Sequence, residues 1–369
     1  MSTRVWWLRR DLRVADHPAL LTAADGGAVV PLFVLDPALW AAAGAPRQAR
    51  LLASLRSLDA DLRDRYAVSL VVRIGSPLTV VPALATEVGA VAVHVTAETT
   101  PYGRRRDTAV RAALNAQGRE LVATGTAYAI GPGTVRTGGG TPYRVFTPFA
   151  RAWRALGAPG PAPAPSRLIG LRAVPSDDLP LVESSGVAAE GVVAGESAAR
   201  VRWEEFLRDG VADYGERRDR PDLDGTSRLS AALKFGEVHP RTLLADLARS
   251  PAAGSPGATT FVTELAWREF YADVLWHHPA SAWSDLRPMA GMVYDEPSAG
   301  FEAWRAGRTG FPFVDAGMRQ LAATGWMHNR ARMVVASFLT RHLLLDWRSG
   351  QDWFWDELVD ADLANNATN

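Results

Sequence analysis

Over the first third of the chain, short Val-rich apolar runs alternate with stretches in which apolar residues recur at helical spacing. Residues 4–8, 28–35, 69–74 and 90–95 read as buried strands, and residues 48–65 and 104–117 as amphipathic helices between them. That alternation predicts a parallel sheet with helices on both faces, ending near Ile130. From 131 to 196 the period lapses. The segments GPGTVRTGGGTPY, GAPGPAPAPSR and ESSGVAAEGVVAGES are poor in periodic apolar residues and predict a connector that wraps over the surface. From residue 197 the helical period dominates almost to the end. A chain of 369 residues exceeds one comfortable core. The expected organisation is therefore an α/β domain over 1–130, a connector over 131–196 and a helical domain over 197–369.

Composition narrows the function. Lys plus Arg and Asp plus Glu each number 40, so the formal charge is zero. A bulk electrostatic glue for nucleic acid is absent, and any such binding must use a local basic face. Lys234 is the only lysine. The absence of cysteine excludes disulfides, thiolate metal sites, iron–sulfur clusters and cysteine nucleophiles, and no metal is expected. The start, MSTRVWWLRRDLR, carries charge too early for a signal peptide, and no apolar run approaches membrane-spanning length. A cytoplasmic, monomeric protein without a membrane partner is expected.

Several clusters carry chemistry. RRDLR, residues 9–13, follows the first strand, where ligands of such sheets often bind; ion pairs docking this loop on a second domain explain it at least as well, and no G-x-G-x-x-G follows the strand. Nine of the 13 tryptophans lie after residue 197, which favours a ligand-binding helical domain. If residues 326–333 are helical, Trp326, Asn329, Arg330 and Met333 share one face. An indole, an amide and a guanidinium suit a flat heteroaromatic ligand, although a mixed face at a domain junction would look the same. In TELAWREFY, Glu264, Trp267, Arg268 and Tyr271 repeat the spacing. DGTSRLS sets the hydroxyls of Thr226, Ser227 and Ser230 and the base of Arg228 at a predicted helix start. That is an anion site for a phosphate or pyrophosphate, or a plain N-cap by Thr226 or Ser227. YGERRDRP places Arg217, Arg218 and Arg220 near Tyr214, either as a solvated charge run or as phosphate contacts on a nucleic-acid backbone.

WLRRDLRVADHPAL, TPYRVFTPF, GESAA, DGTSRLSAAL, ELAWREFY, GFPFVDAGMRQL, GWMHNRARM and DADLANN stand in the order and approximate spacing of the photolyase and cryptochrome family, which the chain resembles from end to end. The resemblance is strongest to class I photolyases acting on cyclobutane pyrimidine dimers. It implies an α/β antenna domain with a Rossmann-like parallel sheet of five strands, joined to an all-helical domain that holds a U-shaped FAD. The implied reaction is light-driven splitting of pyrimidine dimers in damaged DNA.

Carried over by position, the resemblance assigns Tyr214, Thr226, Ser227, Arg228, Leu229 and Ser230 to the FAD diphosphate. It sets Arg268 and Arg332 beside the flavin with Asp360 and Asp362 as partners or acceptors, and adds Glu264, Trp326 and Asn329 to the cofactor shell. Asn366 matches the residue facing the flavin nitrogen that is protonated on full reduction; plant cryptochromes carry Asp there and animal ones Cys. A dimer must be flipped out of the duplex to reach a buried flavin. Glu264, Trp267 and Asn329 match the acid, stacking indole and amide that receive it, and Arg218 and Arg330 match contacts to flanking phosphates. Proteins repairing the (6-4) product carry His where Asn329 and Met333 stand, so dimer repair is preferred.

Of the family's tryptophan relay, Trp347 is present, Tyr294 stands at the outer position, and the innermost member would follow Asn369. The resemblance implies further helices beyond that point and a second stacking tryptophan, so a C-terminally truncated chain that repairs poorly is expected. For the antenna, TTPYGRRRD has Tyr102 and Gly103 where folate-binding members usually show Glu. This favours 8-hydroxy-deazaflavin over methenyltetrahydrofolate, with Leu35, Asp36 and Glu98 as contacts. A cryptochrome-like photoreceptor and a flavin-free nucleotide-binding or scaffold protein are the alternative readings.

Overall fold

A computed structural model describes residues 2–171, 173–182, 193–288 and 291–368. Strands β1 (Ser2–Leu8), β2 (Gly27–Leu35), β3 (Val71–Ile74), β4 (Ala90–Ala97) and β5 (Glu120–Thr126) pair in parallel in the order β3-β2-β1-β4-β5. The sheet faces are covered by α1 (Pro18–Ala24), α2 (Pro37–Ala41), α3 (Ala45–Tyr66), α4 (Pro77–Glu87) and α5 (Pro101–Asn115). Side chains alternate across β1, so Trp6 and Leu8 enter one core with Leu55 and Leu58, while Val5 and Trp7 enter the other with Val81 and Val110. Burial on both faces is why these strands read as unbroken apolar runs. The strand order reverses between β1 and β4, and the crevice at their carboxyl ends is where open α/β sheets bind ligands. Arg9 and Arg10 leave β1 there, and Glu98 leaves β4.

The segment read as a connector is more structured than its composition implies. It contains α6 (Phe146–Leu156), whose Phe149 and Trp153 are buried against Ala266 and Phe270, and β6 (Ile169–Gly170), which extends the sheet alongside β2. Flanking Gly and Pro masked the short apolar stripe of α6. Residues 183–192 of the ESSGVAAEGVVAGES stretch lie outside the described residues.

The second half comprises α7 (Glu196–Asp209), α8 (Tyr214–Arg217), α9 (Ser230–Phe235), α10 (Pro240–Arg249), α11 (Pro256–His277), α12 (Ala299–Arg305), α13 (Pro312–Thr324), α14 (Asn329–Arg341), α15 (Trp347–Glu357) and α16 (Leu363–Thr368). Two helix starts differ from expectation. Helix α14 begins at Asn329 because the His328 ring accepts from the Arg330 amide at 3.1 Å as its cap, so Trp326 lies ahead of the helix and off the face of Asn329. Helix α9 begins at Ser230, not at Thr226 or Ser227. Arg228 takes the left-handed conformation with φ 51°, and Leu229 at the cap position makes no side-chain capping bond.

The RRDLR loop docks the two halves. The Leu12 amide donates to the Phe235 carbonyl at 3.1 Å, Arg13 Nη1 to the Gly236 carbonyl at 3.0 Å, and the Val14 amide to Glu196 Oε2 at 2.7 Å. Gly236 closes α9 with φ 70°, and a Cβ there would lie 2.1 Å from the Arg10 carbonyl oxygen. Only glycine fits both the conformation and the approach.

Candidate active site

Helices α8, α9, α11, α14, α15 and α16 surround a cavity of about 870 Å³, within the range of small-molecule and cofactor sites. Tyr214, Ser227, Ser230, Glu264, Arg268 and Asn329 stand on its wall, as do Arg332, Asp360, Asp362 and Asn366. Trp347 and Tyr294 line it too, the Trp347 indole donating to Asp285 Oδ1 at 2.6 Å. Residues separated by about 150 positions in sequence thus share one surface, because α11, α14 and the loop before α16 converge on it.

Other expected contacts lie elsewhere. Leu229 is buried in the core of the helical half. The carbonyls of Thr226 and Ser227 accept from Arg202 at 3.0 and 3.1 Å, and the Thr226 side chain is not on the cavity wall. Arg228 turns outward to Asp224 at 2.7 Å and stacks 4.6 Å from the Trp326 ring, which is likewise off the wall. Trp267 does not line the cavity either. Phe146 of α6 lies flat on its indole at 3.4 Å and 7°, and Tyr271 stacks at 5.3 Å. Arg218 pairs with Glu264, and Arg330 Nε with Asp219 Oδ1 at 2.6 Å, so both guanidiniums are held in ion pairs and neither is on the wall.

The charges at the inner end of the cavity wall are partnered. Arg332 Nη2 donates to Asp360 Oδ2 at 2.8 Å, and Arg268 donates to the Ala127 and Leu233 carbonyls at 3.2 and 3.1 Å while stacking 4.5 Å from the Tyr128 ring. Burial works against the Asp362 carboxylate, but Lys234, Arg10 and Arg268 outweigh it and hold the group well below the ordinary carboxylate range. Lys234 shows the opposite balance. Burial pulls it down to about 8 despite attraction to Asp362. Tyr214 is pushed up to about 12 by burial and by Glu264.

Three polar atoms of wall residues are buried without a hydrogen-bond partner among the described residues: Asp360 Oδ1, Asn366 Nδ2 and Gln351 Oε1. Native structures pair almost all such atoms, so each needs an explanation. Asp360, Asn366 and Gln351 all line one cavity, and a carboxylate and two amides on one wall fit a flat heterocycle with donor and acceptor edges, which is the character of FAD. Lys234, Gln351 and Asn365 were missed in the sequence. Lys234 lies one turn after Ser230, and Gln351 one turn after Trp347, so extending each face by four residues finds them.

At the proposed antenna positions, Leu35 is buried in the core and the Asp36 side chain caps α2 through the Ala38 amide at 3.1 Å. Asp36 also accepts from the Tyr102 hydroxyl. Glu98 accepts from Arg10 at 2.8 Å, and its carboxyl is held down at about 2, with Arg10, Arg106 and Arg9 outweighing the effect of burial.

Residues 4–166 match the DNA photolyase family, and residues 261–369 match the FAD binding domain of DNA photolyase. The deoxyribodipyrimidine photo-lyase of Streptomyces griseus is 43% identical over 375 residues, covering 100% of this chain and 81% of that protein. The crystal structure of a bacterial class III photolyase from Agrobacterium tumefaciens superposes with a TM-score of 0.91 at 34% identity, covering 100% of this chain and 78% of that one. A Synechocystis cryptochrome superposes with a TM-score of 0.90 at 26% identity, covering 99% of this chain and 80% of that one. Matched in both its sheet and its helical half, and so similar to a curated relative along its whole length, the chain belongs to the DNA photolyase family.

Proposed function

We propose that this protein is a DNA lyase that uses light to split cyclobutane pyrimidine dimers, with FAD in the cavity of the helical domain. The observation that carries the reading is the set of buried polar atoms without a partner among the described residues, Asp360 Oδ1, Asn366 Nδ2 and Gln351 Oε1, on residues that line one cavity with Arg268 and Arg332. FAD, when bound and reduced, supplies the light-driven electron that opens the cyclobutane ring. The chain's own residues orient and stabilise. Arg332 fixes Asp360 so that one oxygen stays available to a ring donor, and the Asn366 amide offers its own donor without adding negative charge. Ser227, Ser230 and Tyr214 supply hydroxyls for the diphosphate.

For the lesion, Glu264 and Asn329 on the wall offer hydrogen-bonding groups to the carbonyl edges of a flipped dimer. Trp267 stands one turn from Glu264 and Tyr271 on α11, and its indole becomes the stacking surface for the fused pyrimidines once Phe146 moves off the face it covers. Arg218 and Arg330 exchange Glu264 and Asp219 for the flanking phosphates. The antenna is 8-hydroxy-deazaflavin, supported by Tyr102 and Gly103 in TTPYGRRRD, with Leu35, Asp36 and Glu98 as its proposed contacts. The protein acts as a monomer in the cytoplasm.

The reading is tested by titrating the FAD-loaded protein with oligonucleotides that carry or lack one thymine dimer. Tighter binding of the damaged strand is expected, with Trp267→Ala losing about 1–3 kcal/mol of the preference. Equal affinity for both strands would instead favour a photoreceptor.

A further inference from the structure

The arginine-rich loop after β1 joins the two halves through its backbone and through three guanidiniums with different partners. Arg9 stays within the α/β domain, pairing with Asp107 at 3.3 Å, and Arg13 goes to backbone carbonyls. Arg10 differs, because it grips a carboxylate in each domain: Nη2 meets Glu98 Oε1 at 2.8 Å, and Nη1 meets Asp362 Oδ2 at 3.4 Å. The Glu98 end is fixed. Its Oε1 also accepts from the Thr99 and Thr100 amides at 2.8 and 3.2 Å, at the head of α5. The Asp362 end is part of the cavity. Its Oδ1 accepts from the Asn365 amide and side chain at 3.1 and 2.8 Å, and its carbonyl accepts from the Asn366 amide at 2.9 Å. Asp362 therefore sets the start of α16, which presents Asn366 to the cavity.

We propose that Arg10 is a cross-domain positioning residue for the flavin site: anchored on Glu98, its guanidinium holds and offsets the Asp362 carboxylate, so that the α/β domain sets how readily the bound flavin is reduced. The inference rests on the FAD reading of the cavity. Asp362 faces cations from three elements, Arg10 after β1, Lys234 on α9 and Arg268 on α11. Removing Arg10 leaves two buried carboxylates without their shared cation, and the wall becomes more negative, which disfavours adding electrons beside it. Removing the charge of Glu98 does the reverse, because Arg10 is then compensated by Asp362 alone. A lysine at position 10 restores charge but not the two-pronged grip.

The test is a spectroelectrochemical titration of bound FAD in the full chain carrying Arg10→Gln, Arg10→Lys or Glu98→Gln, with FAD content and melting temperature measured alongside. The expected midpoint shifts to more negative potential in Arg10→Gln, is largely restored in Arg10→Lys, and shifts to more positive potential in Glu98→Gln. Wild-type midpoints in Arg10→Gln and Glu98→Gln with only a lowered melting temperature would reduce Arg10 to a structural strut and overturn the proposal. If Arg10→Gln fails to fold, Glu98→Gln decides: an unchanged or more negative midpoint overturns it. A wild-type chain that takes up no FAD would defeat the flavin reading itself, an outcome distinct from unchanged midpoints in loaded variants.

Discussion

Asp360 has one carboxylate oxygen on Arg332 and the other buried without a partner. Leaving a buried acceptor open costs about 1–3 kcal/mol, which a donor on a bound ligand recovers. Arg332→Ala removes the remaining partner and should cost about 3 kcal/mol of stability. The purified variant should also retain less FAD, as read by absorbance per chain. Buried histidines set the acid response. Burial, then Arg13, holds His239 down to about 4, and burial, then Arg4, holds His94 at about 4. Unfolded histidines protonate near 6.5, so the unfolded chain binds more protons between roughly pH 6.5 and 4, and stability falls as pH drops through that window. Glu98 adds a second loss. Its stabilising charge is fully present above the unfolded value near 4.5 and disappears as pH falls towards about 2. A melting temperature that stays flat from pH 7 to 4.5 would contradict the histidine assignment. At this scale the sequence was partly legible. Residue types and helical spacing marked Glu264, Arg268 and Asn329, whereas the place of Trp267 depends on Phe146, more than a hundred positions away.

The elements differ in how plainly the sequence announces them, for physical reasons. Strands buried on both faces are apolar throughout, so β1, β2 and β4 stood out. Helix α6 hid among glycines and prolines because its stripe is short and its burial comes from α11. Helix α14 starts at Asn329, later than the side-chain spacing from Trp326 suggests, because a histidine, not one of the common small polar residues, caps it. The turn that closes α9 offers a sharp test. Gly236→Ala would put a methyl group against the backbone of residues 10 and 11 in a left-handed conformation. A loss of at least ~2 kcal/mol is expected in denaturant unfolding, whereas Ala substitution at Gly138, which meets nothing within 4 Å, should leave stability nearly unchanged.

For the molecule as a whole, the two-domain plan follows from the switch from alternating strand and helix patterns to helical ones. The contacts between domains do not. The pair between Arg10 and Asp362 spans 352 positions, and no local period announces it. Placing a carboxylate-gripping arginine at the sheet's switch point makes the α/β domain part of the cavity's electrostatics, although among the described residues it contributes none to the wall. The account's central claim is that this cavity brings FAD to a flipped-out lesion, and one measurement addresses it most directly. The reduced, FAD-loaded protein is illuminated with an oligonucleotide carrying a single thymine dimer, and intact thymines are quantified by chromatography. The account predicts that dimers revert to thymines only when both light and FAD are present, whatever the rate; a loaded protein that binds the damaged strand yet leaves every dimer intact under illumination would contradict it.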